Sequence, residues 1–122
     1  MDDTIDMVDK LLSDLKNTGG VEASIVASRD GLLIRANMPK EKFLYSLAAM
    51  SATMLGAAET ATTLVEKGLP TRVIVESEYG RLIIVGAGTK ALLIVLASTN
   101  TGLGLILLEL EKSAKKLKEI LT

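Results

Sequence analysis

From Arg81 to Ser98 the chain reads "RLIIVGAGTKALLIVLAS", two runs in which aliphatic residues stand at consecutive positions. A strand with one wet face alternates apolar and polar residues. A strand that is apolar at every position needs cover on both faces. A third run, "TRVIVESEYG" from Thr71, precedes them, and Tyr79-Gly80 and Ala87-Gly88 punctuate the series. The spacing predicts a three-stranded meander whose last two strands are central. Such strands require helices above and below the sheet, which confines the chain to a three-layer architecture.

The flanking segments supply those layers. Residues 4–16, "TIDMVDKLLSDLK", place Ile5, Val8, Leu12 and Leu15 on one stripe, and "TGG" at 18–20 ends it, as expected for an amphipathic helix with a glycine stop. "VEASIVASRDGLLIRANM" (21–38) reads as two strands joined at a two-residue turn, Asp30-Gly31. Residues 40–67 hold no proline and one glycine before Gly68 and Pro70, so one long helix is expected. Its core-facing stripe is expected at Phe43, Leu47, Met50, Met54, Ala58, Ala61 and Val65. The closing "NTGLGLILLELEKSAKKLKEILT" predicts a helix capped by Asn100 or Thr101. Leu103, Ile106 or Leu107, Leu110, Ala114, Leu117 and Leu121 point inward, and Glu111 pairs with Lys115 on the back. The fold class is therefore α/β (α+β): a single domain over 1–122, order α-β-β-α-β-β-β-α, with a five-stranded sheet between helices.

Composition removes whole classes of chemistry. Cysteine and histidine are both absent, which excludes a thiolate nucleophile, an imidazole base and the preferred ligand sets of zinc or copper. The serines Ser24, Ser28, Ser46, Ser51 and Ser98 have no histidine to activate them. A net charge of -1 and only 2% aromatic residues give neither the electrostatic footprint nor the stacking platforms of a nucleic-acid partner. The acidic start "MDDTIDMVDKL" is unlike a secretory signal, so a cytoplasmic location is expected. "ALLIVLASTNTGLGLILL" (91–108) is interrupted by polar residues at its centre, which argues against membrane insertion.

Gly86-Ala87-Gly88-Thr89-Lys90 lies where a phosphate-holding loop could lie. A Walker-type loop needs Lys directly after its last glycine and then a helix; here Thr89 precedes Lys90 and a strand follows, so the segment reads as a hairpin turn. Glu76 and Glu78 share one side of a strand and read as solubilising edge charges, with an acid/base pair or an oxygen-rich cation site as the sharper alternative. Asp2, Asp3, Asp6 and Asp9 complement a helix dipole, with a cation site as the alternative. Arg29 and Arg35 flank the hairpin as solvated charges or as contacts to a partner's anionic group.

One feature resists a bland reading. On the side of the long helix away from its expected core stripe stand Ala49, Ala52, Thr53, Gly56, Thr60 and Thr63, and from Phe43 to Ala58 no charge appears on any face. A solvent-facing helix surface carries Lys and Glu, and a mid-helix glycine costs about 1 kcal/mol relative to alanine. Small uncharged residues suit the close approach of a second backbone, either another copy or a covering segment of the same chain.

With these elements in this order, the chain resembles the Roadblock / dynein light chain family. "VEASIVASRDGLLIRANM" resembles its first hairpin, "LAAMSATMLGAAETATTLVEKG" its middle helix and "LGLILLELEKSAKKL" its closing helix, and the resemblance spans roughly Ile5 to Leu121. It implies an antiparallel five-stranded sheet with the second helix on one face and the first and third on the other. It also implies a homodimer formed through the second helix and third strand, with Ala49, Ala52, Thr53, Gly56, Thr60, Thr63, Arg72, Ile74 and Glu76 at the interface. Members regulate small Ras-like GTPases or serve as light chains in motor complexes. No catalytic residue and no cofactor is implied, and Arg29, Arg35, Arg72 and Arg81 match no arginine-finger motif. The expected function is a non-enzymatic homodimeric regulator of a small Ras-like GTPase. A scaffold without a GTPase partner, or a small-molecule sensor using Gly86–Lys90, are the alternatives.

Overall fold

A computed structural model of the chain describes residues 3–38 and 43–122. Helix α1 (Asp3–Lys16) leads into strands β1 (Val21–Ser28) and β2 (Leu33–Asn37), then helix α2 (Leu44–Leu64). Strands β3 (Val73–Ser77), β4 (Gly80–Ala87) and β5 (Ala91–Ala97) follow, and helix α3 (Leu103–Ile120) closes the chain. All neighbouring strands are antiparallel, in the order β2-β1-β5-β4-β3. The eight elements and their order are those expected. Asp2 and the expected helix start at Lys40–Lys42 lie outside the described residues.

The unbroken aliphatic runs are explained by two cores, one on each side of the sheet. From β5, Leu93 and Val95 join Val26, Ile83 and Val85 against α1 and α3. Leu92 and Ile94, the alternate positions of the same strand, join Ile25, Ala27 and Ile84 against α2. Neither face of β5 is left for polar residues.

Helix α3 buries Ile106, Leu110 and Leu117, with Leu103, Leu107, Ala114 and Leu121 packed beside them, as expected. Its start differs. Gly102 holds the cap position and no side chain caps the helix, because the Thr101 hydroxyl is bonded to that of Ser98 (2.9 Å) and the Thr101 carbonyl accepts from Arg81 (3.0 Å). Glu111 does not depend on Lys115 as expected; it accepts from Arg72 at 2.7 Å, which ties α3 to the start of β3. In α1, Leu11 is buried in addition to Val8, Leu12 and Leu15, whereas Ile5, expected to face inward, is exposed.

The first hairpin is also longer than a two-residue turn. Residues 29–32 separate β1 from β2, and the register shifts between Val26 and Ala27. Gly31 carries a positive φ (88°), and a Cβ there would stand 3.0 Å from the Ala49 Cα. The turn therefore rests directly on α2.

Helix α2 is the main correction. The residues it buries are Leu44, Ala48, Ser51 and Leu55, whereas Phe43, Met50 and Val65 of the expected core stripe are exposed, and Leu47 and Met54 are only partly covered. Small Ala48 and Ser51 let the helix approach a sheet whose own Ile25, Ile84 and Ile94 already fill the space. The Ser51 hydroxyl is buried with no hydrogen-bond partner. An unsatisfied buried hydroxyl is destabilising, and alanine is the better helix former. Ser51→Ala should therefore raise the unfolding free energy by about 1 kcal/mol, visible as a higher denaturant midpoint at unchanged slope.

Candidate functional site

The outer surface of α2 is the most unusual surface of the molecule. Its exposed residues, Phe43, Tyr45, Ser46, Met50, Thr53, Gly56, Ala57, Thr60, Ala61, Thr63, Leu64 and Val65, include no Asp, Glu, Lys or Arg. Two of the chain's three aromatic side chains, Phe43 (61% exposed) and Tyr45 (78%), stand at its start. The third, Tyr79 (87%), is at the β3–β4 turn, so no aromatic residue serves the core. Aromatic residues exposed while the interior is built from aliphatic ones are the usual anchors of a protein interface.

The nine residues assigned to this surface from sequence fall into three groups. Thr53, Gly56, Thr60 and Thr63 are exposed on α2. The Thr53 and Thr60 hydroxyls bond back to the carbonyls of Ala49 (2.9 Å) and Gly56 (3.1 Å), so these side chains present methyl groups and no free donor. A Cβ on Gly56 would meet nothing within 4 Å. Ala49 and Ala52 are instead partly covered by the chain's own Gly31 turn. Arg72, Ile74 and Glu76 lie on the other side of the sheet: Arg72 holds Glu111, Ile74 packs with the α1/α3 core, and Glu76 is 3.9 Å from Arg81. What β3 offers beside α2 is its open backbone edge, together with Val73 and Val75. Exposed Met50, Ala57, Leu64 and Val65 were not assigned to the surface from sequence, although the absence of charge from Phe43 to Ala58 already marked the segment of the first two.

The single carboxylate on α2 is neutralised within the chain. Glu59 accepts from Arg29 Nη1 with both oxygens (3.2 and 3.1 Å), while Arg29 Nη2 donates to the Gly88 carbonyl (2.8 Å). The Arg29 amide donates to the Lys90 carbonyl (3.0 Å). One residue thus joins the first turn, the β4–β5 turn and α2. This also answers what the glycines of the Gly86–Lys90 segment do. Gly86 closes β4 where a Cβ would lie 2.3 Å from Arg29 Nη2, and Gly88 turns the chain at φ 73°. Strand β5 follows at Ala91, so no helix N-terminus is present to hold a phosphate.

Three further candidates, Ser24, Arg35 and Asp9, are likewise spent on the fold. Ser24 is buried and donates to the Leu12 carbonyl (2.9 Å). Arg35 grips Asp9 through two bonds of 2.8 and 2.7 Å, fastening edge strand β2 to α1. Those hydrogen bonds, aided by the charge of Arg35, hold the Asp9 carboxyl below its ordinary value of 3.8. The sign is that of a depressed acid: the stabilisation is whole above the ordinary carboxylate range and disappears as pH falls through the lowered folded-state value. Both side chains are more than two-fifths exposed, so the effect is small. Urea titrations between about pH 5 and pH 2 should show Asp9→Asn losing less stability on acidification than the parent chain.

No helix among the described residues is long and apolar enough to cross a membrane. The sequence pattern of the Roadblock/LC7 domain matches residues 7–97, from α1 to the end of β5. Protein MJ1340 of Methanocaldococcus jannaschii is 32% identical over 92% of this chain and 97% of its own length. Among solved structures, Myxococcus xanthus MglB superposes with a TM-score of 0.87 at 20% identity, covering 93% of this chain and 94% of that one. A Roadblock/LC7 domain from Streptomyces avermitilis gives 0.86 at 22% identity, covering 93% and 96%. The matched span and an archaeal relative aligned along nearly its whole length establish that this chain belongs to the Roadblock/LC7 domain family.

Proposed function

We propose that the chain is a non-enzymatic homodimeric regulator that binds a small Ras-like GTPase and biases its nucleotide state. The observation that carries the reading is the uncharged outer face of α2 beside the open edge of β3. An uncharged helix face together with an unpaired strand edge suits a twofold, self-complementary contact in which like elements meet. The contact is centred on Met50, Thr53, Ala57, Thr60 and Ala61, with Gly56 and Thr63 at its margin.

Regulation of a GTPase is what the family resemblance implies, and the arginines bear on how it would work. All four are engaged within the chain: Arg29 with Glu59, Arg35 with Asp9, Arg72 with Glu111, and Arg81 with Thr101 and Glu76. Offering any of them to a nucleotide would break an existing pair. This favours action by positioning the GTPase's own switch segments over supplying a catalytic cation.

The test is to mix the protein with each small GTPase encoded in the same genome, in both nucleotide states, and to measure complex formation and hydrolysis. A complex preferring one nucleotide state is the expected result. Absence of any complex in either state defeats the GTPase reading and leaves the dimer as a scaffold.

A further inference from the structure

On the flank of α2 away from its outer ridge lies a crevice of about 530 Å³, walled by Ala52, Gly56 and the Gly88-Thr89 turn. Leu55 and Leu92, both buried, form its floor, exposed Leu69 stands over it, and the Arg29–Glu59 pair closes one end. Its volume is within the range of small-molecule sites, and its lining is apolar with one convergent charged pair, the usual make-up of such a site. Gly56 opens onto this space: a Cβ there would meet nothing within 4 Å.

The geometry points to a binding site for a free aliphatic α-amino acid. The charge pattern selects this class. Arg29 and Glu59 are both only 28% exposed and neutralise each other at 3.1 Å. A ligand with a carboxylate alone would take Arg29 and strand Glu59; an amine alone would strand Arg29. Leaving a half-buried charge unpaired is strongly unfavourable. A zwitterion can enter the pair without stranding either partner, its carboxylate on the guanidinium and its ammonium on Glu59. Because the two groups touch, the ligand's charges must be close together, as on an α-carbon and not at the two ends of a peptide. Arg29 can be re-aimed without losing a bond at Nε, which is buried with no acceptor. An aliphatic side chain would then lie on Leu55, Leu69 and Leu92. This inference is independent of the GTPase reading and uses a different flank of α2.

The test is to titrate the isotope-labelled full chain with leucine, 4-methylpentanoate and isoamylamine, following amide signals to about 10 mM, where even a ~1 mM site is filled. Expected is saturable movement at Ala52, Gly56 and Thr89 with leucine, and at least ~10-fold weaker binding of both singly charged analogues. Gly56→Leu should abolish binding, whereas Ala57→Arg, on the outer ridge and outside the crevice, should leave it intact, which separates this result from any failure of self-association. Should that variant fold poorly, Glu59→Gln serves, since 4-methylpentanoate should then bind at least as well as leucine. Absence of saturation with leucine, equal binding of an analogue by the parent chain, or undiminished binding by folded Gly56→Leu would overturn the assignment.

Discussion

Ala57→Arg should convert the proposed dimer to a monomer at micromolar concentration while leaving the fold intact. Ala57 is exposed and, at about 100° per residue, lies half a turn from buried Ala48, so it points directly away from the sheet. Arginine is a good helix former, and at an exposed helical position of a lone molecule the change should alter stability by no more than about 0.5 kcal/mol. In a twofold contact the same residue meets its own copy near the centre, so two like charges are desolvated together. Loss of at least ~100-fold in dimer affinity is expected. Sedimentation or light scattering would show the mass fall to that of one chain, with the helical circular dichroism signal retained. An unchanged mass would mean that copies do not meet through this ridge. Gly56→Leu is the companion variant: at the margin of the ridge it should weaken the dimer less than Ala57→Arg does.

The second large effect is expected at the middle of the sheet. Ile94 is fully buried on β5, with β1 on one side, β4 on the other and α2 above. No neighbour can move in to fill the space if its side chain is cut back. Ile94→Ala should lower the unfolding free energy by about 2–5 kcal/mol, a fall in melting temperature on the order of 10 °C or more. Thermal and urea unfolding would check it. A drop under about 1 kcal/mol would show that the α2 layer can sink onto the sheet.

Which parts of this architecture were visible in the sequence follows from the range of the forces involved. Strand order within each hairpin and the two-sided burial of β4 and β5 are written locally, in turn residues and in the lack of alternation. The inward face of α2 is not. Its residues are apolar or small on every side, so periodicity supplies no direction. The largest side chains, Phe43 and Met50, are outside because Ala48 and Ser51 permit the closer approach to the sheet. The attachment of Glu111 to Arg72 in place of Lys115 was set by a partner distant in the chain. The α3 start at Gly102 in place of Asn100 or Thr101 turns on a local bond between the Thr101 and Ser98 hydroxyls that no hydrophobic pattern reveals. Gly86 is likewise explained by a partner distant in the chain: its lack of a side chain makes room for Arg29, far earlier in the sequence. The surface was legible as an uncharged segment; its centre became legible only once the sheet had claimed one side of the helix.

The pairing of β1 with β5 also bears on how quickly the molecule can assemble. Partners such as Ser28 and Ala91 are more than about 60 residues apart, whereas β1–β2 and the β3–β4–β5 meander join near neighbours. Closing so long a loop is entropically unfavourable before any contact compensates, so the two local units should form early and their docking along the β1–β5 seam should limit the folding rate. Substitutions on that seam would then slow folding, while those on the outer ridge of α2 would leave it untouched.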